Sequence, residues 1–307
     1  MFESSGYGKL LLMGEYLVLE GAHALSCPTV FEQTLNIDEV EGVPLLFWES
    51  YDPAGKWFEE CFDIHSFEPR MNPENPSARF ISTVLSKARK LNPNFCKEKK
   101  AFKVLTRLQF PRNWGLGSSS TLIHNLAQWA GVNPMKLCLD ATNGSGYDVA
   151  QAGARQPILY QLNPTSGASW IQLPFKPKYN QDLFFVYLGE KQDSSNEVRS
   201  FQEIKKTKSL SSAIKRVNEL VRDFVKAEHL SIAEDILLEH ENILSSILER
   251  PRIQEERFAD YTHGVIKSLG GWGGDFVLVT GSNIARDYFY DKGYGVILGW
   301  EEMIKSV

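Results

Sequence analysis

The residues best suited to chemistry lie in the run Phe110-Pro111-Arg112-Asn113-Trp114-Gly115-Leu116-Gly117-Ser118-Ser119-Ser120-Thr121. Two glycines let the backbone approach a ligand and turn its amides outward. The serines open a stretch with Leu122, Ile123, Leu126 and Trp129 at helical spacing, closed by Gly131. The first turn of such a helix carries N–H groups without intrahelical partners and a partial positive charge, which suits a phosphate. Trp114, Gly115, Leu116, Gly117, Ser118, Ser119 and Ser120 are therefore candidate nucleotide-binding residues. The hydroxyl of Ser119 could complete the shell of a magnesium ion bridging phosphates. The same segment also reads as a glycine turn with a serine N-cap. Neither the Walker pattern nor the dinucleotide Gly-x-Gly-x-x-Gly is present, since Ser120 stands where the third glycine belongs.

Three further features accompany this loop. Gly144-Ser145-Gly146-Tyr147-Asp148-Val149-Ala150 sets a carboxylate just after a flexible turn. Gly270-Gly271-Trp272-Gly273-Gly274-Asp275 precedes the apolar run 276–280, as expected where backbone must pack closely against something. Gly8-Lys9 supplies an early cation. Glycine turns, one aspartate and one lysine are what phosphoryl transfer requires, because its catalysis is mostly positioning and charge neutralisation plus a proton acceptor. Taken singly, Asp148 is a turn former, Lys9 a surface lysine, and Trp114 more a packing residue than an adenine stacker. The segment 189–195 reads as a solvated loop, and Lys205-Lys206-Thr207-Lys208 as a solvated helix start. The six histidines lack metal-ligand spacing, and no Gly-x-Ser-x-Gly elbow occurs.

These residues need elements to hold them. Lys9 begins a Leu- and Val-rich run, 9–19, that reads as one bent strand or a strand pair. Segments 34–40, 45–49, 56–63 and 101–110 read as strands, and 78–91 as a helix ended by Asn92-Pro93. In the second half, 183–188, 276–280 and 295–298 read as strands, and 210–226, 231–248, 254–269 and 283–290 as helices. Strands interleaved with helices give an α+β class with antiparallel sheets. At 307 residues the chain exceeds the usual single domain, and the proline-containing stretch 174–180 suggests lobes 1–177 and 178–307. A net charge of −5 offers no nucleic-acid footprint. Four dispersed cysteines and no apolar run of membrane length point to a cytoplasmic protein with no membrane partner. No export signal is evident, and a homodimer is left open.

Gly8 to Tyr16, Pro111 to Ser120 and Leu269 to Asp275, in this order, resemble the three motifs of the GHMP kinase superfamily. Gly14-Glu15-Tyr16 and Gly273-Gly274-Asp275 look closest to its mevalonate and phosphomevalonate kinase branch. Gly146-Tyr147-Asp148-Val149-Ala150 resembles the GYDIA group, with valine in place of isoleucine. The resemblance implies an N-terminal lobe like ribosomal protein S5 domain 2 and a ferredoxin-like C-terminal lobe. It implies ATP and Mg2+ as cofactors and a small hydroxy acid as acceptor. Asp148 would take the acceptor's proton, Lys9 would stabilise that aspartate and the transferring phosphoryl group, and Glu15 would hold Lys9. Ser119 would touch magnesium. Glu15, Ser145, Gly146, Gly271, Gly273 and Gly274 would line the acceptor side. Three departures stand out: Leu137 occupies the place of the branch's magnesium glutamate, with Asp140 three residues on; Ala141-Thr142-Asn143 fills the stretch where a histidine commonly stands; and Trp272 replaces a small residue, which would narrow the pocket.

Overall fold

The computed structural model describes every residue except 98–99, 143, 164–166, 190–193, 206–208 and 306–307, and it gives no side-chain detail for 194–196. The chain divides into two compact units, Met1–Gly8 with Phe31–Arg112 and Leu116–Gly153, and Lys9–Val30 with Asn113–Gly115 and Ala154–Val307. This partition differs from lobes 1–177 and 178–307 because strands β1 (Phe2–Met13) and β2 (His23–Val40) each run through both units.

In the first unit, β3 (Leu45–Asp52) and β4 (Gly55–Asp63) form a hairpin. Its turn is made by Asp52, whose Oδ1 accepts the Ala54 N–H at 2.9 Å, and by Gly55 at φ 123°. Helix α1 (Pro76–Leu91) begins on Asn75, whose side chain accepts from Ser77 and Ala78, with Pro76 in the first turn. Ala78, Ile81, Val84, Leu85 and Ala88 form its buried stripe. The chain returns as β5 (Ala101–Leu108), parallel to β3 and antiparallel to residues 33–40 of β2. Helices α2 (Ser118–Ala130), α3 (Pro134–Ala141) and α4 (Tyr147–Ala152) pack on one another and, with α1, close a core containing Trp48, Phe62, Leu85 and Leu126.

In the second unit, β6 (Ile158–Asn163) pairs His23–Ser26 of β2 and, on its other side, β7 (Gly167–Gln172). Strand β8 (Leu183–Tyr187) leads into helices α5 (Ser194–Ile204), α6 (Ser211–Lys226), α7 (Leu230–Leu248) and α8 (Ile253–Arg257). Strand β9 (Ile266–Leu269), the glycine-rich turn and β10 (Phe276–Thr280) then form a hairpin. Helix α9 (Asn283–Asp291), β11 (Ile297–Gly299) and α10 (Trp300–Met303) complete the chain. The antiparallel sheet has the order β11-β8-β10-β9. That is fourth, first, third, second in sequence, with helices between the first two and the last two strands: the ferredoxin-like arrangement expected for this part of the chain.

Two expectations are corrected. Residues 254–269 are not one helix: α8 stops at Arg257 and β9 starts at Ile266. Gly264 has φ +158°, and a Cβ there would lie 2.4 Å from the Thr280 carbonyl oxygen, so only extended, side-chain-free backbone passes β10 at this point. Residues 9–19 are not all strand either. β1 ends at Met13, Gly14 reverses the chain at φ 93°, and Leu17–Glu20 is a 3-10 turn. Strands β6 and β7 and helices α3, α4 and α5 carry no strand or helix pattern singled out above. Among the described residues no helix is long and apolar enough to cross a membrane.

Candidate active site

Gly117, at φ 86°, is the N-cap of α2, so no serine caps the helix and Ser118 is its first helical residue. Gly115 is also left-handed, at φ 66°. The Gly117 carbonyl accepts the N–H groups of Ser120 and Thr121, both at 3.0 Å. Ser119 is exposed at this tip, while the Leu116 side chain is buried and anchors the loop. Neutral hydrogen bonds hold the helix start in the first unit. Thr121 Oγ1 donates to Gln33 Oε1 at 2.6 Å, Asn125 Nδ2 to the Gln33 carbonyl at 2.8 Å, and Ser4 Oγ to Asn125 Oδ1 at 2.9 Å. Gly6 lies so close that a Cβ would be 3.3 Å from Thr121. The outward amides of the first turn are thus presented by a pinned backbone, the condition for preorganised anion binding.

Asp148 is the second residue of α4, which packs on α2 in the same unit. Gly146 precedes it at φ 85° and accepts from Val149 and Ala150, while Ser145 is buried. Burial, and to a lesser degree the charge of Asp148, pushes the Cys138 thiol up.

The second unit brings segments of all three motifs together. The Trp272 N–H donates to Tyr16 Oη at 2.6 Å, and Tyr16 Oη donates to Glu197 at 2.8 Å, which in turn pairs with Arg250. A Cβ on Gly115 would fall 1.7 Å from Asp275 Oδ2, so Gly115 lies directly against the end of the glycine-rich turn. Gly270 and Gly273 take φ 75° and 77°. Gly274 donates to the Gly271 carbonyl at 2.8 Å. Beneath this turn, Lys267 Nζ donates to Glu15 Oε1 at 2.6 Å and to the Ser268 carbonyl at 2.8 Å, and lies 3.6 Å from Glu241 Oε1. All three charged side chains are buried. Burial pushes Glu15 up, against the pull of Lys267 and, more weakly, of Lys9. Burial pushes Glu241 up to about 7. His240 Nε2 accepts the Gly14 N–H at 3.0 Å, and burial with Lys267 nearby holds the imidazole neutral. Its 3.5 Å approach to Glu15 is therefore not an ion pair.

Compared by sequence, the chain matches no protein-family model and no curated protein. Compared by structure, it matches solved kinases along its length. A mevalonate kinase aligns over 100% of this chain and 100% of its own, with a TM-score of 0.72 and 13% identity. Streptococcus pneumoniae phosphomevalonate kinase, in complex with phosphomevalonate and AMPPNP, aligns over 97% of this chain and 100% of its own, with a TM-score of 0.72 and 18% identity. The chain has the GHMP kinase fold. Lactococcus lactis galactokinase, complexed with galactose, also aligns, over 99% of this chain and 93% of its own, with a TM-score of 0.66 and 14% identity.

Within this GHMP fold, Leu116, Gly117, Ser118, Ser119, Ser120, Ser145, Gly146 and Asp148 belong to the first unit. Lys9, Glu15, Trp114, Gly115, Gly271, Gly273 and Gly274 belong to the second. Glu15 makes its direct ion pair with Lys267, and Lys9 acts on it more weakly. Trp114 packs edge-on against Phe276 at 5.5 Å between ring centroids and near Tyr187 at 6.3 Å. The Trp272 indole is buried and donates to the Pro251 carbonyl at 3.0 Å, which braces the turn. Leu137 is a core residue and Asp140 is exposed. Among the described residues no three His, Cys, Asp or Glu side chains form a metal cluster. Residues 190–193 and 206–208, which carry most of the two solvated-segment readings, lie outside the described residues. Sequence reasoning missed Lys267, His240, Glu241 and the Gln33–Thr121–Asn125 anchor. A signal for Lys267 existed: it is a lone charge inside Val265-Ile266-Lys267-Ser268-Leu269.

Proposed function

We propose that this protein is an ATP-dependent kinase that phosphorylates a small hydroxy-acid metabolite, with mevalonate as the first acceptor to test. The observation that carries the reading is the uncapped start of α2, where Gly117 is the N-cap, Ser119 is exposed and neutral hydrogen bonds pin the backbone. Amides so held would grip the polyphosphate through Gly115, Leu116, Gly117, Ser118, Ser119 and Ser120. Asp148 would accept the acceptor hydroxyl's proton, and Lys9 would steady the charge that moves with the phosphoryl group. Magnesium bound with the triphosphate would neutralise phosphate charge. Of the protein's groups, the Ser119 hydroxyl suits it, phosphates and water filling the remaining positions. Phosphomevalonate, homoserine and sugars are the alternative acceptors, and membership of the GYDIA group belongs to the same proposal. So do the lobe boundary at 177/178, a cytoplasmic location and a homodimer.

A second reading, a catalytically inactive nucleotide sensor, is favoured by one observation: the place of the branch's magnesium glutamate is taken by the core residue Leu137. One experiment separates the two. The purified protein is given ATP, magnesium and each acceptor in turn, and ADP release is followed beside the Asp148→Ala variant. A kinase shows acceptor-dependent ADP release that Asp148→Ala lowers by about 100-fold or more while ATP still binds. ATP binding without turnover on any acceptor favours the sensor, and no binding at millimolar ATP removes both readings.

A further inference from the structure

Lys267 takes no part in the chemistry proposed above, yet it is one of the most completely enclosed charged side chains in the second unit. Its exposure is 0%, and its ammonium is bonded to Glu15 at 2.6 Å. Such a pair is poor evidence for stability. Removing two charges from water costs several kcal/mol, and well-packed apolar replacements are often as stable or more so. An ion pair differs from apolar packing in direction: it sets one atom against another, where packed methyl groups tolerate sliding.

The atoms that Lys267 sets are informative. It lies on β9, three residues before Gly270, where the glycine-rich turn begins. Its partner, Glu15, lies between Gly14, whose N–H donates to His240, and Tyr16, whose hydroxyl receives the Trp272 N–H. Tyr16 has φ 60° with ψ −52°, the centre of a tight turn closed by the Leu17 N–H on the Glu15 carbonyl at 2.6 Å, a strained state for a side-chain-bearing residue that its surroundings must enforce. The far end of the same turn abuts Gly115 through Asp275. A shift of β9 against residues 14–16 would therefore move the turn on which the phosphate loop starts.

We infer that Lys267 is a positioning residue, which through Glu15 registers the Gly270–Gly274 turn against the Gly14–Tyr16 turn and so sets the floor from which the Gly115 loop rises. The activity part of this inference rests on the kinase reading; the registration of the two turns does not. Lys267→Met alone leaves the Glu15 carboxylate buried without its cation, and the midpoint of thermal unfolding should fall by roughly 5–10 °C. The deciding variant is therefore Glu15→Gln/Lys267→Met, which removes the pair; measured at pH 6, where Glu241 beside it is protonated, it leaves no buried carboxylate charged in the cluster and should bring the midpoint back near that of the parent. In this double variant the Trp272 amide should exchange with deuterium at least about tenfold faster. The kcat should fall about 10- to 100-fold with KM for ATP within about threefold, as expected when reacting groups are displaced by an ångström or less. A purely stabilising pair would instead restore kcat together with the melting midpoint. Parental exchange at Trp272, or parental kcat, in a double variant of parental stability would overturn the inference. If the parent turns over no acceptor, the kinase reading fails by itself, and the exchange rate at Trp272 alone decides whether Lys267 registers the turns.

Discussion

The two glycine-bearing turns central to this molecule are held in opposite ways. In the first unit the start of α2 is tied to its strands by uncharged groups, Thr121 to Gln33, Asn125 to Gln33 and Ser4 to Asn125. In the second unit the turn at 270–274 is held to residues 14–16 above a buried cluster of Glu15, Lys267, Glu241 and neutral His240. On the proposed reading the α2 tip receives a phosphate, and neutral ties suit that, because a fixed carboxylate there would repel the ligand. The glycine turn offers no comparable row of helix amides, and a directional ion pair can place it. The two turns should therefore respond differently to pH, to added volume and to loss of a single hydrogen bond.

The largest effect should be pH. Glu241 is raised in the folded protein to about 7 from 4.5. Its contribution is therefore fully present below pH 4.5 and is lost as pH rises through about 7. His240 is depressed, so its neutral burial costs stability in the other direction, as pH falls below 6.5. Between pH 5 and pH 8.5 the parent should lose about 2.5 kcal/mol through Glu241, measured by urea unfolding, and Glu241→Gln should lose markedly less. Equal slopes for the two proteins would show that the cluster does not hold a proton near neutrality.

Next in size is added volume. A Cβ at Gly274 would lie 2.3 Å from the Leu269 carbonyl oxygen, a backbone atom that cannot swing aside. Gly274→Ala should cost about 1–3 kcal/mol, the range for overpacking, and should raise exchange at Trp272. An unchanged unfolding midpoint would mean that the turn is looser than drawn. The smallest effect is expected in the first unit. Thr121→Ala removes one buried hydrogen bond and should cost about 1 kcal/mol, with a pH profile parallel to that of the parent. A profile that diverges from the parent would mean that the neutral anchor is coupled to titrating groups after all.

Most of this fold was legible in the sequence because its elements obey local rules. Asn75-Pro76 starts α1 and Gly131 ends α2 through backbone preferences that need no distant partner. At 254–269 the deciding atom is distant: position 264 admits only glycine because Thr280, on β10, leaves no room for a Cβ. The same division runs through the site. The glycines at 115, 117, 146, 270 and 273 could be proposed as turns from their type alone, and all five have positive φ. The bond from the Trp272 indole to the Pro251 carbonyl, in contrast, joins residues 21 positions apart, and no local rule predicts it.

Composition and spacing by themselves determined which segments carry glycine turns, which helix opens with serines, and where a carboxylate and a lysine stand in the chain. Those are properties of neighbouring residues, and local sterics fix them. That Glu15 pairs with Lys267, 252 positions away, and that Gly115 rests on Asp275, comes from the packing of the folded chain. Contacts of that range are chosen by which arrangement leaves fewest buried charges alone and fewest carbonyls in collision, and no single stretch of sequence carries that comparison.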